Sequence, residues 1–315
     1  MAQGAHLTDW FRDARWGVLT HYLESPASHA LPGTTSADDW NRRVDSFDAG
    51  ALADQLAEVG AKYYFITLGQ NSGHYCSPNA AYDQIVGRVP SLCSKRDLPA
   101  DLYAALSKKG IRLMLYIPAH PPEHANDIAP FKGKAGDLRV TEPRRLWESV
   151  IREWSVRYGK RIAGWWVDGC WPKASFESTE APNFESLRAA LKAGNPDALL
   201  GFNPGGCHVP VPVNGPEDYT AGELTHNLPL GDWCAPTAQG WPYQPLQRFI
   251  NGAQYHVLNF LGEWWGQGQP RFPDELVTGY TRYVNDHQGV VTWDVPISNE
   301  GRLPEAFVRQ LKRLG

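Results

Sequence analysis

The residue best placed for chemistry is Asp168, the acid that ends the apolar run Gly164-Trp165-Trp166-Val167 within GWWVDGCW. An unpaired carboxylate at the last position of a buried strand is costly. Either it is tied off locally, by capping the next helix or pairing with an arginine, or it stands at the open end of a sheet. Other polar residues close similar apolar runs: His21, Gln70, Asn71, His120, Asn203, Glu223, Glu263 and Asp294. In a parallel barrel the C-terminal strand ends form the active-site mouth, so side chains in these positions converge on one pocket.

The elements that must carry them can be drawn from the pattern of the chain. Eight strand-like runs occur at 16–22, 63–68, 111–117, 162–168, 198–202, 218–224, 255–260 and 289–295, the sixth being the weakest. Helix signals separate them. Asp48 caps a periodic Leu52, Leu56 and Val59, and Pro99 opens a helix that stops at Gly110. Leu146, Trp147, Val150, Ile151 and Trp154 mark one side of a long amphipathic helix. Alternating strands and helices without a linker or internal repeat predict an α/β protein, a single (β/α)8 TIM barrel over residues 1–315. The Gly-, Pro- and Trp-rich loop 229–245 is expected to wall the pocket.

Composition narrows the partners. A net charge of -4 with 20% charged residues offers no basic excess for nucleic acid or an anionic membrane. No stretch approaches the ~20 apolar residues of a membrane span. The N-terminus MAQGAHLTDWF lacks a basic and then apolar leader, so a cytoplasmic protein is expected, or a secreted or periplasmic one if a leader was removed. Thirteen Trp and 13 Tyr supply flat amphipathic faces of the kind that stack on sugar rings, although about half should be core. Five cysteines, Cys76, Cys93, Cys170, Cys207 and Cys234, contain no C-x-x-C pair and read as free thiols. His74 with Cys76 and His120 with His124 do not place three or four ligands on one scaffold, so neither a metal nor a cofactor is expected.

At the start, WFRDARWGVLTHY resembles the block W-F-x-D-A-K-F-G-I-F-x-H-W of the retaining α-L-fucosidases, and FDAGALADQLAEVGAKYYFIT is similar to their F-D-A-x-x-W-A-x-L-A-K-x-A-G-A-K-Y-x-x-x-T. KRDLPADLYAALSKKGIRLMLY, GWWVDG and GVVTWDVPISNEGRLP follow in the family's order, the last resembling G-G-N-L-L-L-N-V-G-P-x-x-D-G-x-I-P. The resemblance covers most of the barrel and implies a glycoside hydrolase with the nucleophile on Asp168, the acid of W-x-D-G. The departures are specific. Gln70-Asn71-Ser72-Gly73-His74 stands for the family's H-H-D-G-F, Tyr22 for a tryptophan, Asp39-Trp40 for Glu-Trp, and YIPAHPP for Y-Y-S. The usual W-E site falls on Trp233-Cys234, and no C-terminal β-sandwich is expected. These changes imply a fucoside or a related sugar, held in an altered pocket.

Glycoside hydrolysis needs two carboxyl groups, about 5–5.5 Å apart if configuration is retained and roughly 6.5–9.5 Å if a water must fit between them. With Asp168 as nucleophile, the acid/base partner is Glu223, on DYTAGEL, or Glu263, beside Trp264-Trp265. His21, Asp39, Trp40, Gln70, Asn71, Tyr116, Asn203, Trp264 and Trp293 are the expected sugar contacts, with Trp165 assigned to the core. A small-molecule or oligosaccharide substrate is the implied partner, and oligomerisation stays open. Two other readings stand beside hydrolysis: a barrel that binds carbohydrate without cleaving it, and a metal-dependent hydrolase or lyase that a chelator would silence.

Overall fold

Seven of the apolar runs become strands of one parallel sheet: β1 Trp16–Thr20, β2 Tyr63–Thr67, β3 Arg112–Pro118, β4 Gly164–Asp168, β5 Leu199–Phe202, β6 His256–Phe260 and β7 Val290–Asp294. They pair in the order β6-β7-β1-β2-β3-β4-β5, in a curled sheet flanked by helices. The computed structural model describes residues 6–26, 31, 33–126, 128–132, 140–171, 173–207, 210, 212–213, 215–232 and 244–315. Each of these strands is buried on both faces, which is why they read as continuous apolar runs rather than alternating ones.

The two faces of the strands nevertheless belong to different cores. Leu19, Tyr63, Phe65, Met114, Tyr116, Trp166, Leu199, Leu258 and Val290 fill the inside of the curl, with Phe11 of the first helix, Asp9–Ala14, packed among them. Phe11 lies 4.9 Å from the ring of Tyr63 and 5.1 Å from that of Tyr219. Val18, Tyr64, Ile66, Leu115, Trp165, Val167, Val291 and Trp293 point outward, against the helices. The helix Thr141–Tyr158 meets that outer core with Trp147, Val150, Ile151 and Trp154. Side chains alternate along a strand, so Asp168, two positions after inward-facing Trp166, also faces inward, one step nearer the rim.

The sixth expected strand, 218–224, is not a regular strand. It lies between β5 and β6 and makes only isolated parallel bridges, Tyr219 with Gln254, Glu223 with Leu258 and Leu224 with Cys207. Asp218 N–H donates to Leu200 C=O at 2.8 Å on one side, while Leu224 N–H donates to Leu258 C=O at 2.8 Å on the other. The interruption is at Gly222, whose φ is +63°. A Cβ there would stand 2.1 Å from the His256 carbonyl, so only glycine lets the segment approach β6 so closely. His256 helps hold the segment: Nδ1 pairs with Thr220 C=O at 2.9 Å and Nε2 with Thr292 Oγ1 at 2.7 Å. Burial pushes its pKa down to about 4, so the ring is neutral.

Candidate active site

Asp168 and Glu223 meet at the C-terminal rim through one amide. Asn203, just past β5 and buried, donates from Nδ2 to Asp168 Oδ1 at 2.8 Å and to Glu223 Oε2 at 2.5 Å. Two bonds to a single nitrogen limit the separation of those oxygens to their sum, about 5.3 Å. The other oxygen of Asp168 accepts from the Tyr116 hydroxyl. A carboxylate can only accept, so Tyr116 must donate its proton there, and its oxygen in turn accepts from Gln70 Nε2 at 2.5 Å. Burial, together with the charges of Asp168 and Glu223, holds the Tyr116 phenol well above its ordinary pKa. It therefore remains a donor.

Glu223 occupies a different environment from Asp168. Burial first, and the Asp168 charge second, push its carboxyl up to about 7, against the pull of the Asn203 donor and of His21. On the opposite wall, His21 Nδ1 pairs with Asp294 Oδ1 at 2.8 Å, and Gly266 N–H donates to Asp294 Oδ2 at 2.6 Å. Burial works against a charge on His21, but Asp294, then Asp168 and Glu223, outweigh it and raise the pKa of the ring. The site thus holds an acid that keeps its proton near neutrality beside a carboxylate fixed by two donors.

A cavity of about 410 Å³ opens over this cluster. Of the residues expected from sequence, His21, Gln70, Tyr116, Asp168, Glu223 and Trp264 line it, and Asn203 sits directly behind the two acids. Glu263 does not join them: it is exposed, on the turn to Gly268, where an added Cβ would stand 2.6 Å from that of Glu263. Asp39 is also outside, an exposed helix residue that accepts from Ser36 Oγ at 2.6 Å and pairs with Arg42. Trp40 is fully buried, its Nε1 donating to Tyr75 C=O at 3.0 Å. Trp293 is core for a reason of parity: next to inward-facing Asp294, it must face outward, where Nε1 donates to Thr281 Oγ1 at 2.9 Å. Asn71 lies off the cavity, its carbonyl accepting from His124 N–H at 2.9 Å.

Among the lining residues that were not expected as contacts, the aromatic and charged ones are Trp166, Trp265, Glu24 and Arg43. Trp166 was legible from its two-residue spacing to Asp168, and Trp265 from its pairing with Trp264. Glu24 was legible as an acid just beyond the end of the first apolar run, whereas Arg43 carried no comparable signal, since it comes from a helix whose placement is tertiary. Cys76, Cys93, Cys170 and Cys207 are free thiols. Trp233, Cys234 and most of the 229–245 loop lie outside the described residues. Among the described residues no group of three or more His, Cys, Asp or Glu is arranged to hold a metal ion, and no helix is long and apolar enough to cross a membrane.

No protein-family profile matches the sequence, and neither does the sequence of any curated protein. The fold, however, is shared with solved structures. An endo-fucoidan hydrolase of glycoside hydrolase family 107 superposes with a TM-score of 0.65 at 14% identity, over 99% of this chain and 93% of its own. The α-L-fucosidase AlfC of Lactobacillus casei, in complex with its α-L-fucose product, gives 0.64 at 17% identity over 98% and 96%. A GH29 α-L-fucosidase of Bacteroides thetaiotaomicron, trapped as a covalent intermediate, gives 0.62 at 16% identity over 99% and 74%. At these identities the likeness is one of fold.

Proposed function

We propose that this chain is a retaining exo-glycosidase of the α-L-fucosidase type, hydrolysing an α-L-fucoside or a related sugar. In this reading 218–224 fills the sixth position of a single (β/α)8 barrel over residues 1–315, irregular because of Gly222. Asp168 attacks the anomeric carbon while Glu223, still protonated, gives its proton to the leaving oxygen. The resulting glycosyl ester on Asp168 is opened by a water that the Glu223 carboxylate deprotonates, and the second inversion restores the original configuration.

The observation that carries this reading is the Asn203 bridge. It keeps the two acids within about 5.3 Å at their facing oxygens, below the spacing an intervening water requires. Burial and the Asp168 charge push Glu223 up to about 7, as the proton-donating role demands. The trapped covalent intermediate of the B. thetaiotaomicron fucosidase and the fucose complex of the L. casei enzyme, both on this fold, support the mechanism and the sugar class. Trp166, Trp265 and the half-exposed Trp264 offer apolar faces for the ring, and Gln70 and His21 offer polar groups for its hydroxyls.

A panel of aryl glycosides tests the sugar, and Asp168→Ala tests the role. The variant should lose turnover, and azide should restore part of it with a glycosyl azide of inverted configuration. Full activity without azide would overturn the assignment. Saccharide binding by an intact wild-type protein that cleaves nothing in the panel would replace hydrolysis with binding alone.

A further inference from the structure

Asp294 is fully buried, yet it ends a strand at the same rim as Asp168. A buried carboxylate is tolerated when it is paired and its lone pairs are used. Asp294 meets both conditions: one oxygen takes the Nδ1 proton of His21 and the other takes the Gly266 amide. Gly266 is held close by its own backbone, at φ +63°, where a Cβ would stand 3.1 Å from that of His21. The histidine ring is boxed in by Tyr116 at 5.9 Å and Trp265 at 5.7 Å between ring centres. Its remaining nitrogen, Nε2, has no partner among the described residues, and the ring borders the cavity. In the motif that GVVTWDVPISNEGRLP resembles, the position of Asp294 holds an asparagine.

We infer that Asp294 is a positioning residue that fixes His21 as a charged imidazolium facing the two carboxylates, so that its replacement changes the pH range of the reaction rather than only its rate. The inference rests on the proposed hydrolysis for its kinetic consequence but not for its structural one. An asparagine cannot copy the arrangement, because an amide accepts on one side and donates on the other. To keep both bonds it would accept from Gly266 and donate to Nδ1, which removes the Nδ1 proton and with it the charge. The titratable groups facing the pair are Asp168 on β4, Glu223 on 218–224 and Tyr116 on β3, while the Tyr64 phenol of β2 lies on the outer side of the sheet. Both acids favour a charged His21. A cation here offsets the Asp168 carboxylate while Glu223 keeps its proton, and it restrains the rise of the Glu223 pKa.

The test is Asp294→Asn in the full chain, read in two ways. First, histidine-selective NMR, with His21 assigned through His21→Gln, follows the imidazole titration. The wild-type midpoint should lie above the ordinary histidine value, and the variant's should fall by about one unit or more. Second, kcat/KM for an aryl α-L-fucoside should drop about tenfold or more at pH 7, with its alkaline limb displaced to lower pH. The direction is decisive: if the His21 charge were not needed, its loss would let the Glu223 pKa rise and the limb would move to higher pH. In a His21→Gln background, Asp294→Asn should leave the limb where it was. An unchanged His21 midpoint, or a limb that stays or moves upward, overturns the inference. If the wild type cleaves no glycoside, hydrolysis fails, and the titration alone decides whether Asp294 holds the charge.

Discussion

Removing the Asp168 charge should lower the pKa of Glu223 by an amount that the geometry bounds. Two unit charges about 5.3 Å apart at an effective dielectric near 20 interact by about 3 kcal/mol, or roughly two pKa units. Glu223 stands at about 7 against an ordinary 4.5, with burial as the larger cause, Asp168 as the second, and Asn203 and His21 pulling the other way. Asp168→Ala removes the second cause and leaves burial in place, so the Glu223 midpoint should fall by one to two units, to roughly 5–6. The Asn203 donor stays bonded to Glu223 and no longer shares itself, which adds to the fall. NMR titration of 13C-labelled glutamate carboxyls, with Glu223 assigned through Glu223→Gln, reads this directly and requires no turnover. A midpoint that is unchanged or higher would refute both the proximity of the two acids and the account of how they divide their roles.

Glu223 should also cost stability. A carboxyl whose folded pKa is above its unfolded value contributes stability below the unfolded value and loses it as pH rises to the folded one. A rise from 4.5 to about 7 is worth about 3 kcal/mol, lost between those two pH values. Glu223→Gln escapes that loss, so urea unfolding should find it more stable than wild type at pH 8, by up to about 3 kcal/mol, and little different at pH 4. Parallel pH profiles for the two proteins would contradict this. Glu263→Gln should leave kcat and KM unchanged, because that side chain is exposed and off the cavity; a tenfold loss of kcat would reinstate it as the partner acid. The tryptophans should separate: Trp264→Ala should raise KM with little change in melting temperature, whereas Trp293→Ala, in the fully buried core, should cost about 3–5 kcal/mol in denaturant unfolding.

Much of this protein was legible before any fold was known. Seven apolar runs became strands close to where they were expected, because a strand buried on both faces must be apolar throughout and is easily seen. The two-residue period also reaches into the site. It places Trp166 and Asp168 on the inner face and Trp165 outside, and it sets Asp294 inward and Trp293 outward. Trp293 was expected at the sugar only because its aromatic type was weighed above its parity.

What local pattern could not supply was the company of Asp168. Glu223 and Glu263 are both acids preceded by glycine near the end of an apolar run; the likeness of DYTAGEL to the family's T-A-E-Y favours the first, the apolar neighbours of the second favour the other, and local pattern leaves both in play. The choice depends on the irregular segment 218–224 closing between β5 and β6, and on Asn203 arriving from a third element to bond both acids. The pairing of His21 with Asp294 joins residues 273 positions apart. Strand alternation is a property of consecutive residues and can be read from them. The distance between two carboxylates, and the burial that lifts one of them, belong to the folded chain, because every partner involved comes from a different strand or loop.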